Sequence, residues 1–365
     1  MHQPDRLLSD GRITITGENA IKSFVSKLGN TFPIHVGKNA KIEEKDIVEK
    51  LAYSGILGTL HHDESVKYND AIYHLKKLNN VEKEQLLLCL NKSLQSIVEP
   101  QKGILLIDFN NIPYYGEDKK HTKGIRNEKG TSYGHQYLSF QLLGEKQKAY
   151  VGFLPINQFT LVHKEIRKIL SELSERYDIL SVMADREFFN TDDLKTFKKY
   201  SKSFLTPATR NKGVKDKENK MEKEEKSIVE HRMGIARDEP VEFNLLRIFN
   251  EEKEKCYIFA TDLNITEEDV KDVIELYRNR WNIETAFSDK NEFSIRTTSN
   301  DHNRRVLFYG VSLLLYNVWQ IYKQKKNIRK IDFILSVLKT MLCSECQHCK
   351  KERLDEDFYD VFPPP

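Results

Sequence analysis

The chain contains 365 residues, of which 58 are Lys or Arg and 55 are Asp or Glu, so its formal net charge is only +3. A nucleic-acid partner would therefore have to be held by local clusters of basic residues, because the average charge is too small to hold phosphates. Aromatic residues make up 10% of the sequence and Gly and Pro are few, which excludes a disordered or collagen-like chain.

We expect neither a secretory signal nor a membrane span. It begins MHQPDRLLSD, without the apolar stretch of a signal peptide. The longest apolar run, 306–322, contains Ser312, Asn317 and Gln320. It is shorter than a transmembrane helix, which needs about 20 apolar residues to cross a bilayer. We therefore expect a buried helix there, no membrane partner and a cytoplasmic protein with reduced thiols.

Residues 1–98 are predicted to be mostly helical. Apolar positions recur at helical spacing in three stretches, 47–56, 71–78 and 86–97, which polar turns separate. Short helices joined by polar turns suit a helix-turn-helix-like DNA-binding module. A helical cap without any contact to DNA fits the same pattern.

The periodicity changes after residue 99. Continuous apolar runs at 103–107 and 179–184 predict strands that are buried on both faces. A hairpin is predicted over 133–154, a helix over 159–173 and a short strand over 203–206. This order predicts a mixed sheet with helices packed against it.

The segment 212–232 consists almost entirely of Lys, Glu and Asn and shows no apolar stripe. A solvated linker of mixed charge is the favoured interpretation, because Glu nearly matches Lys in number. A flexible loop that contacts a polyanion through its lysines is the alternative. A second predicted hairpin, 241–261, follows it.

Two aspartates, Asp108 and Asp185, directly follow the two buried strands. The ends of such strands converge at one edge of a sheet, where sites are usually built. A single aspartate at a strand end is more often a turn or cap residue, so the pair alone is a weak signal.

A helix is predicted from Thr266, which opens a capping-box pattern, through Phe287. At about 100° per residue, Tyr277, Arg280 and Glu284 fall within or beside its apolar stripe. Charged groups on a core-facing stripe are unfavourable unless they are paired or bind something. A structural Arg280–Glu284 ion pair remains open as the alternative.

These residues carry a resemblance to a known family. The segment ELYRNRWNIETAF (275–287) resembles the signature helix, Y-x2-R-x3-E-x6-K, of DDE transposases of bacterial and archaeal insertion sequences in the insertion-sequence-four superfamily. LLIDFNNIPYYG (105–116) resembles the strand with the first aspartate, and SVMADREFF (181–189) the strand with the second. The three motifs occur in the order found in the family and cover roughly 99–320.

The signature lysine is the one departure. Its position corresponds to Asn291, whereas Lys290 lies one residue earlier. Either the register shifts, or Lys290 reaches the DNA backbone from another angle, or the role is lost. The resemblance further implies that Tyr277 and Arg280 hold DNA phosphate. For Trp281 we weigh stacking on a base against packing in the core.

The resemblance implies a ribonuclease-H-like fold, a mixed five-stranded sheet flanked by helices with the acids at one edge. Three regions follow: an N-terminal helical, DNA-end-binding domain (1–98), a catalytic domain (99–335) with a β-rich insertion at about 207–265 before the last catalytic helix, and a C-terminal tail (336–365).

The implied activity is that of a DNA transposase. Asp108, Asp185 and Glu284 would be both the catalytic residues and the ligands of two Mg²⁺ or Mn²⁺ ions, which suit oxygen ligands and in-line phosphodiester displacement. The implied partners are terminal inverted repeats and target DNA, bound by a homodimer on paired ends in the nucleoid. A transposase-derived DNA-binding protein that does not cut, and a ribonuclease-H-like nuclease, remain the alternatives.

A cysteine cluster near the end of the sequence offers soft ligands for a metal. Cys343, Cys346, Cys349 and the intervening His348 could hold structural zinc, although no second CxxC pair follows. The sequence favours free cytosolic thiols over this zinc site.

Overall fold

The structure is a computed structural model that describes residues 11–59, 73–117, 119–234, 239–250, 254–278 and 281–344. Within these ranges the side chains at 11–16, 128, 250, 271, 274, 281–284 and 342–344 are not described.

Helices occur along the whole of the described chain. They are α1 (Gly11–Gly29), α2 (Glu44–Leu57), α3 (Lys83–Ile97), α4 (Val162–Arg176), α5 (Thr191–Tyr200), α6 (Lys212–Lys223), α7 (Val270–Arg278), α8 (Trp281–Asn291), α9 (His302–Lys326) and α10 (Lys330–Ser344), with short 3₁₀ helices at Lys76–Asn80 and Arg186–Phe188. No helix among the described residues has the length and apolar character needed to cross a membrane.

Strands occupy the middle of the chain. They are β1 (Lys102–Pro113), β2 (Lys123–Glu128), β3 (Thr131–Gly144), β4 (Lys148–Ile156), β5 (Asp178–Ala184), β6 (Phe204–Pro207), β7 (Ile228–Met233), β8 (Val241–Asn250) and β9 (Lys255–Thr261).

Contacts divide the chain into two compact units. The helical unit comprises Met1–Glu99, Gln147–Phe153 and Phe287–Pro365, and the sheet unit comprises Pro100–Lys146 and Leu154–Ala286. The boundary between the two units after Glu99 lies next to the predicted start of the catalytic domain. By their contacts, the helices after residue 287 group with the N-terminal helices. The predicted catalytic domain (99–335) stays a prediction.

The helical unit is built around α9, whose residues from Val306 to Tyr322 are all buried. The expected buried helix is therefore confirmed. α10 packs closely on α1, because a Cβ atom added at Gly17 would overlap the backbone carbonyl of Ser336. Asn303 of α9 donates hydrogen bonds to the carbonyls of Leu78 and Val81. The segment 1–98 thus completes its core with residues from the other end of the chain.

Two buried asparagines hold β4 within the helical unit. Asn317 accepts from the backbone N–H of Tyr150 and donates to its C=O, both at 2.8 Å. Asn91 makes the same pair of bonds with Phe153, at 3.0 and 3.2 Å. Each side chain therefore satisfies one N–H and one C=O, as a neighbouring strand would do.

The sheet unit is organised by a mixed sheet, as predicted for an α/β fold. The described strands form one sheet of nine in the order β2-β3-β1-β5-β6-β9-β8-β7, and β4 also pairs with β3. β1 runs antiparallel to β3 and parallel to β5, and β5 runs parallel to β6. Leu105, Leu106 and Ile107 of β1 are fully buried, as the continuous apolar run indicates.

The described sheet contains more strands than the predicted core of five. The extra strands arise largely because the hairpin β8–β9 does not form a separate layer: Leu205 of β6 pairs with Thr261 of β9, so β7, β8 and β9 extend the sheet. At the other edge, β2 adds to β3.

The prediction of a linker over 212–232 is also wrong. This segment forms α6 and β7. Asn211 caps α6 by accepting from the N–H of Val214, and Val214 and Met221, seven residues apart, bury one side of the helix. Two apolar residues were too few to reveal a stripe in the sequence.

Candidate active site

The two predicted aspartates lie side by side. β1 and β5 are parallel neighbours, and their register pairs Ile107 with Ala184, so Asp108 and Asp185 are the next residues on adjacent strands. Both side chains are half-buried. Asp185 directly follows β5, whereas Asp108 lies within β1, which continues to Pro113 along β3, so the expectation that both aspartates end their strands holds only for Asp185. The two come together because the parallel pairing of β1 with β5 ends at Ile107 and Ala184.

Each carboxylate is oriented by the backbone of the residue that follows it. Asp108 Oδ1 accepts from the N–H of Phe109 at 2.8 Å, and Asp185 Oδ1 accepts from the N–H of Arg186 at 2.7 Å. Asp185 thereby caps the short 3₁₀ helix Arg186–Phe188. In this arrangement one oxygen of each carboxylate is used locally, and two hard oxygen donors are brought to the same edge.

The signature segment begins next to this edge. Tyr277 of α7 places its hydroxyl 3.5 Å from the carbonyl of Ala184, the residue before Asp185. Its ring meets Phe259 edge-on, with 4.7 Å between the centroids. The structure therefore brings Tyr277, Asp108 and Asp185 to one end of the sheet.

The remaining signature residues are placed only in part. The predicted helix 266–287 is described as α7 and α8, which end at Arg278 and begin at Trp281. Asp269 accepts from the backbone of Thr266, as the capping pattern predicts. Arg280 lies outside the described residues. The backbone of Glu284 and Trp281 lies on α8, but their side chains are outside the description, so their roles stay predictions.

The predicted contact of Lys290 with DNA does not fit its position in the structure. Its side chain is 0% exposed, so in this arrangement it does not reach DNA. Its Nζ lies 4.4 Å from the ring centroid of Tyr309, and no hydrogen-bond partner for it exists among the described residues. Burial lowers the pKa of Lys290 to about 7. Asn291, which occupies the signature position itself, is exposed.

The zinc prediction falls largely outside the description. Cys343 lies on α10, and Cys346, His348 and Cys349 follow beyond the described residues. Within the described part of the chain, no three His, Cys, Asp or Glu side chains are grouped to hold a metal ion. The side chain of Glu284, the expected third carboxylate, lies outside this part.

Sequence reasoning did not identify a pocket that is lined by residues close in the chain to the two aspartates. Phe109 and Phe188, which follow Asp108 and Asp185 closely in the chain, line a cavity of about 330 Å³. The other walls include Lys123 of β2, His163 of α4 and Asp193 of α5. Asn190 caps α5 by accepting from the N–H of Asp193. Nothing in the sequence indicated that Asp193 is buried.

A larger cavity in the sheet unit lies elsewhere. It measures about 1080 Å³ and is lined mainly by residues of α6, β7 and β8. Neither Asp108 nor Asp185 lines either cavity.

Comparisons with known proteins agree with this geometry. Residues 156–318 match the family model described as "Transposase DDE domain". No curated protein matches the sequence. A similar solved structure is the cryo-EM structure of the piggyBac transposase synaptic complex with hairpin DNA, with a TM-score of 0.54 and 12% identity over 100% of this chain and 86% of that chain. At this identity the similarity shows the fold alone, while the family match supports a DDE transposase.

Proposed function

We propose that the chain is a DDE transposase of an insertion sequence, which cleaves DNA at the ends of its element and joins them to target DNA. The observation that carries this proposal is the placement of Asp108 and Asp185 side by side, where the parallel pairing of β1 with β5 ends. The family match over 156–318 supports the same activity.

Five of the strands support a ribonuclease-H-like core. In the order β4-β3-β1-β5-β6 they form a mixed sheet, in which β3 is antiparallel to β1 while β5 and β6 are parallel to it. A ribonuclease-H-like fold brings its catalytic acids together on adjacent strands, as Asp108 and Asp185 are here. Strands β7, β8 and β9 would be the β-rich insertion before α8.

The donor set fits a divalent metal. Asp108 and Asp185 present hard oxygen ligands, and Glu284 would complete a set that holds two Mg²⁺ or Mn²⁺ ions. When bound, such ions activate the attacking oxygen and stabilise the leaving oxygen of a phosphodiester. The chain itself contributes the fixed register of β1 and β5 and the backbone N–H groups that orient both carboxylates.

DNA would be held from several sides. Tyr277, Arg280 and Trp281 would contact the DNA strand being cut. The hydroxyl of Tyr277 donates to the carbonyl of Ala184, the residue before Asp185. The N-terminal helices would recognise terminal inverted repeats, and a homodimer in the cytoplasm, associated with the nucleoid, would pair the two ends. We include membership of the insertion-sequence-four superfamily in this proposal. It is supported by Tyr277, Arg280 and Glu284, which keep the spacing of the signature.

Nicking of element-end DNA by the full-length protein tests the proposal. Duplexes that carry the inverted repeats flanking the gene would be incubated with Mg²⁺ and protein. Asp108→Asn and Asp185→Asn should each lower the nicking rate by about 100-fold or more, because each removes a charged metal ligand. Both variants should also bind Mg²⁺ more weakly in a titration without DNA.

Asp178→Asn is the matched control. Asp178 lies at the other end of β5, where it is exposed and forms an ion pair with Lys202 at 2.7 Å. Its removal should leave the nicking rate unchanged. Equal rates for the wild type and for the Asp108 and Asp185 variants would refute the proposed active site.

One observation favours a second candidate, a transposase-derived protein that binds DNA without cutting it. The signature lysine position is filled by Asn291, and the neighbouring Lys290 is buried. If the wild-type protein binds inverted-repeat duplexes over scrambled ones but does not nick them with Mg²⁺ or Mn²⁺, this second function replaces the first.

A further inference from the structure

Beyond Asp108, three strands continue as an arm of the sheet. The parallel pairing of β1 with β5 ends at Ile107 and Ala184, but β1 stays paired with β3 as far as Pro113. Strand β2 pairs with the outer part of β3. We call residues 109–138 the arm. The function proposed above gives it no role, although its first residue directly follows Asp108.

Hydrogen bonds join the segments at the outer end of the arm. Tyr115 donates from its hydroxyl to the carbonyl of Lys129 at 3.0 Å, and Thr131 donates to the carbonyl of Tyr114 at 2.8 Å. These bonds tie the chain that leaves β1 to the turn between β2 and β3. Lys129 and Gly130 form this tight turn with positive φ angles of 52° and 85°. The side chains at the outer end therefore project from a well-defined backbone.

The outer end carries three exposed cations, Lys119, Arg126 and Lys129. None of them forms an ion pair within the part of the chain that the structure describes. Lys119 is positioned instead by Tyr133, whose ring centroid lies 3.8 Å from the lysine Nζ. The arm as a whole contains five Lys or Arg and three Asp or Glu residues, so it accounts for two of the three net positive charges of the chain.

Cations in another charged region of the sheet unit are paired with carboxylates. Lys220 and Lys226 lie 3.7 and 2.9 Å from Glu224, and Arg232 lies 3.5 Å from Glu242. A phosphate that bound there would compete with these carboxylates. The three cations of the arm meet no such competition and are available to an external anion.

Lys119 lies on the same face of the sheet as Asp108. Asp108 pairs with Ser139 of β3, and Tyr133 lies six residues further along that strand. Directly paired residues share a face, as do residues an even number of positions apart, so Tyr133 and the Lys119 ammonium over it share the face of Asp108. At about 3.3 Å per residue, the separation along the strand is about 20 Å. The intervening residues 134–138 are buried, so the exposed group is confined to the outer end.

A DNA duplex fits two contact points at this separation. Successive phosphates of one strand are about 3.4 Å apart along the helix axis, so about 20 Å corresponds to about six base pairs. Cations without carboxylate partners suit a row of phosphates, because backbone contacts need positive charge and no particular base.

We propose that the outer end of the arm binds the phosphate backbone of the DNA duplex about six base pairs from the cleavage point, through Lys119, Arg126 and Lys129. The proposal rests on the proposed function, since it takes Asp108 to act on the same duplex. Tyr115 contributes by holding the backbone that carries Lys129. The arm thereby fixes the direction in which the duplex leaves the acids.

Binding of duplex DNA by the full-length protein at several salt concentrations tests the arm. The arm variant replaces the three unpaired cations together: Lys119→Gln, Arg126→Gln and Lys129→Gln. The control variant replaces three paired cations and has the same net charge: Lys220→Gln, Lys226→Gln and Arg232→Gln. At about 0.1 M salt the arm variant should bind inverted-repeat and scrambled duplexes about 10-fold to 100-fold more weakly than the wild type. The slope of log affinity against log salt should become shallower by about 2–3, because three phosphate contacts are lost.

The control variant should lose less than about 3-fold in affinity and keep the slope of the wild type, because its cations are already neutralised. Equal losses in both variants would mean that net charge alone matters and would overturn the proposal. An arm variant that binds like the wild type would also overturn it. If the melting curve shows that the arm variant does not fold, the three single substitutions decide, each with an expected change of slope of about 1.

Hydroxyl-radical footprinting on an inverted-repeat duplex locates the contact. Without divalent metal, so that no strand is cut, the arm variant should lose protection about six base pairs from the cleavage point and keep it at the cleavage point itself. Loss of protection only at other positions would contradict the proposed geometry.

The outcome is separable from that of the proposed function. If the wild type nicks DNA and the arm variant binds like the control, the arm proposal ends and the transposase proposal stands. If the wild type does not nick DNA but the arm variant alone loses affinity and slope, the phosphate contact of the arm is supported and the cleavage activity is refuted.

Discussion

The carboxyl edge of β1 and β5 and the interior of the helical unit treat charged side chains in opposite ways. Asp108 and Asp185 are half-buried and accept short hydrogen bonds from the backbone that follows them. Lys290 is fully buried, and its ammonium contacts the ring of Tyr309 without a hydrogen-bond partner among the described residues. Changes at the edge should therefore alter chemistry, and changes in the helical unit should alter stability.

The largest stability effect is expected at Lys290. Its pKa is lowered by burial from 10.5 to about 7. Between pH 7 and pH 10 the unfolded chain keeps a proton that the folded chain has lost, so this group makes stability rise with pH by roughly 3–5 kcal/mol in total. Below pH 7 both states are protonated and the full penalty of the buried charge is present.

Urea unfolding at several pH values measures this effect. Lys290→Met should remove the rise and make the protein more stable at pH 6.5, because a buried charge is replaced by an apolar side chain of similar length. Lys92→Met, on the exposed side of α3, is the control and should leave the pH dependence unchanged. Parallel curves for the wild type and Lys290→Met would show that Lys290 keeps its proton when folded.

The next effect is expected at Asn317, a buried polar group that is fully paired. Asn317→Leu leaves the N–H and C=O of Tyr150 without their partners, which should lower the free energy of unfolding by about 2–4 kcal/mol. The control is Gln85→Leu at an exposed position of α3. It measures how much the free energy of unfolding changes when an amide side chain at the surface is replaced by Leu. A loss no larger than that of the control would mean that water or a shifted backbone replaces both bonds.

A smaller loss is expected at Gly17. Gly17→Ala places a methyl group against the carbonyl of Ser336, so α1 and α10 must move apart, at about 1–3 kcal/mol. At Gly29, the last residue of α1, an added Cβ would meet no atom within 4 Å. Gly29→Ala should therefore leave the melting temperature nearly unchanged. Equal effects of the two substitutions would contradict the close packing of these helices.

The smallest effect is expected at Asp185. Asp185→Asn keeps an oxygen that can accept from Arg186 and removes one of two adjacent negative charges, so stability should change by less than about 0.5 kcal/mol. A calorimetric melting scan without metal checks this. A loss of several kcal/mol would place Asp185 among the structural residues and remove the contrast with the helical unit.

The parts that the sequence predicted best are those with continuous apolar runs. β1, β5 and α9 are each buried along such a run. Asp185 follows the end of β5 as predicted, whereas Asp108 lies within β1. α6 was missed because most of its surface is charged and Val214 and Met221 alone bury it. Local periodicity detects a wide apolar face, but it overlooks a face that consists of only two apolar residues.

Long-range partners explain the other differences. Nothing local distinguishes Lys290 from Lys92, although the first is buried and the second exposed. The pairing of β6 with β9 likewise joins residues more than fifty positions apart, so the larger sheet was not predictable from either segment. Burial and sheet extension are decided by contacts between distant segments.

The bonds from Asn303 to the carbonyls of Leu78 and Val81 have a consequence for synthesis on the ribosome. The second of these bonds spans 222 residues. At about 5–20 residues per second, the N-terminal helices wait roughly 10–45 s before α9 is made. During this time the apolar faces of α2 and α3, including Leu51 and Leu90, have no α9 to cover them. We therefore expect the nascent chain to bind chaperones that hold exposed helices until α9 has been synthesised.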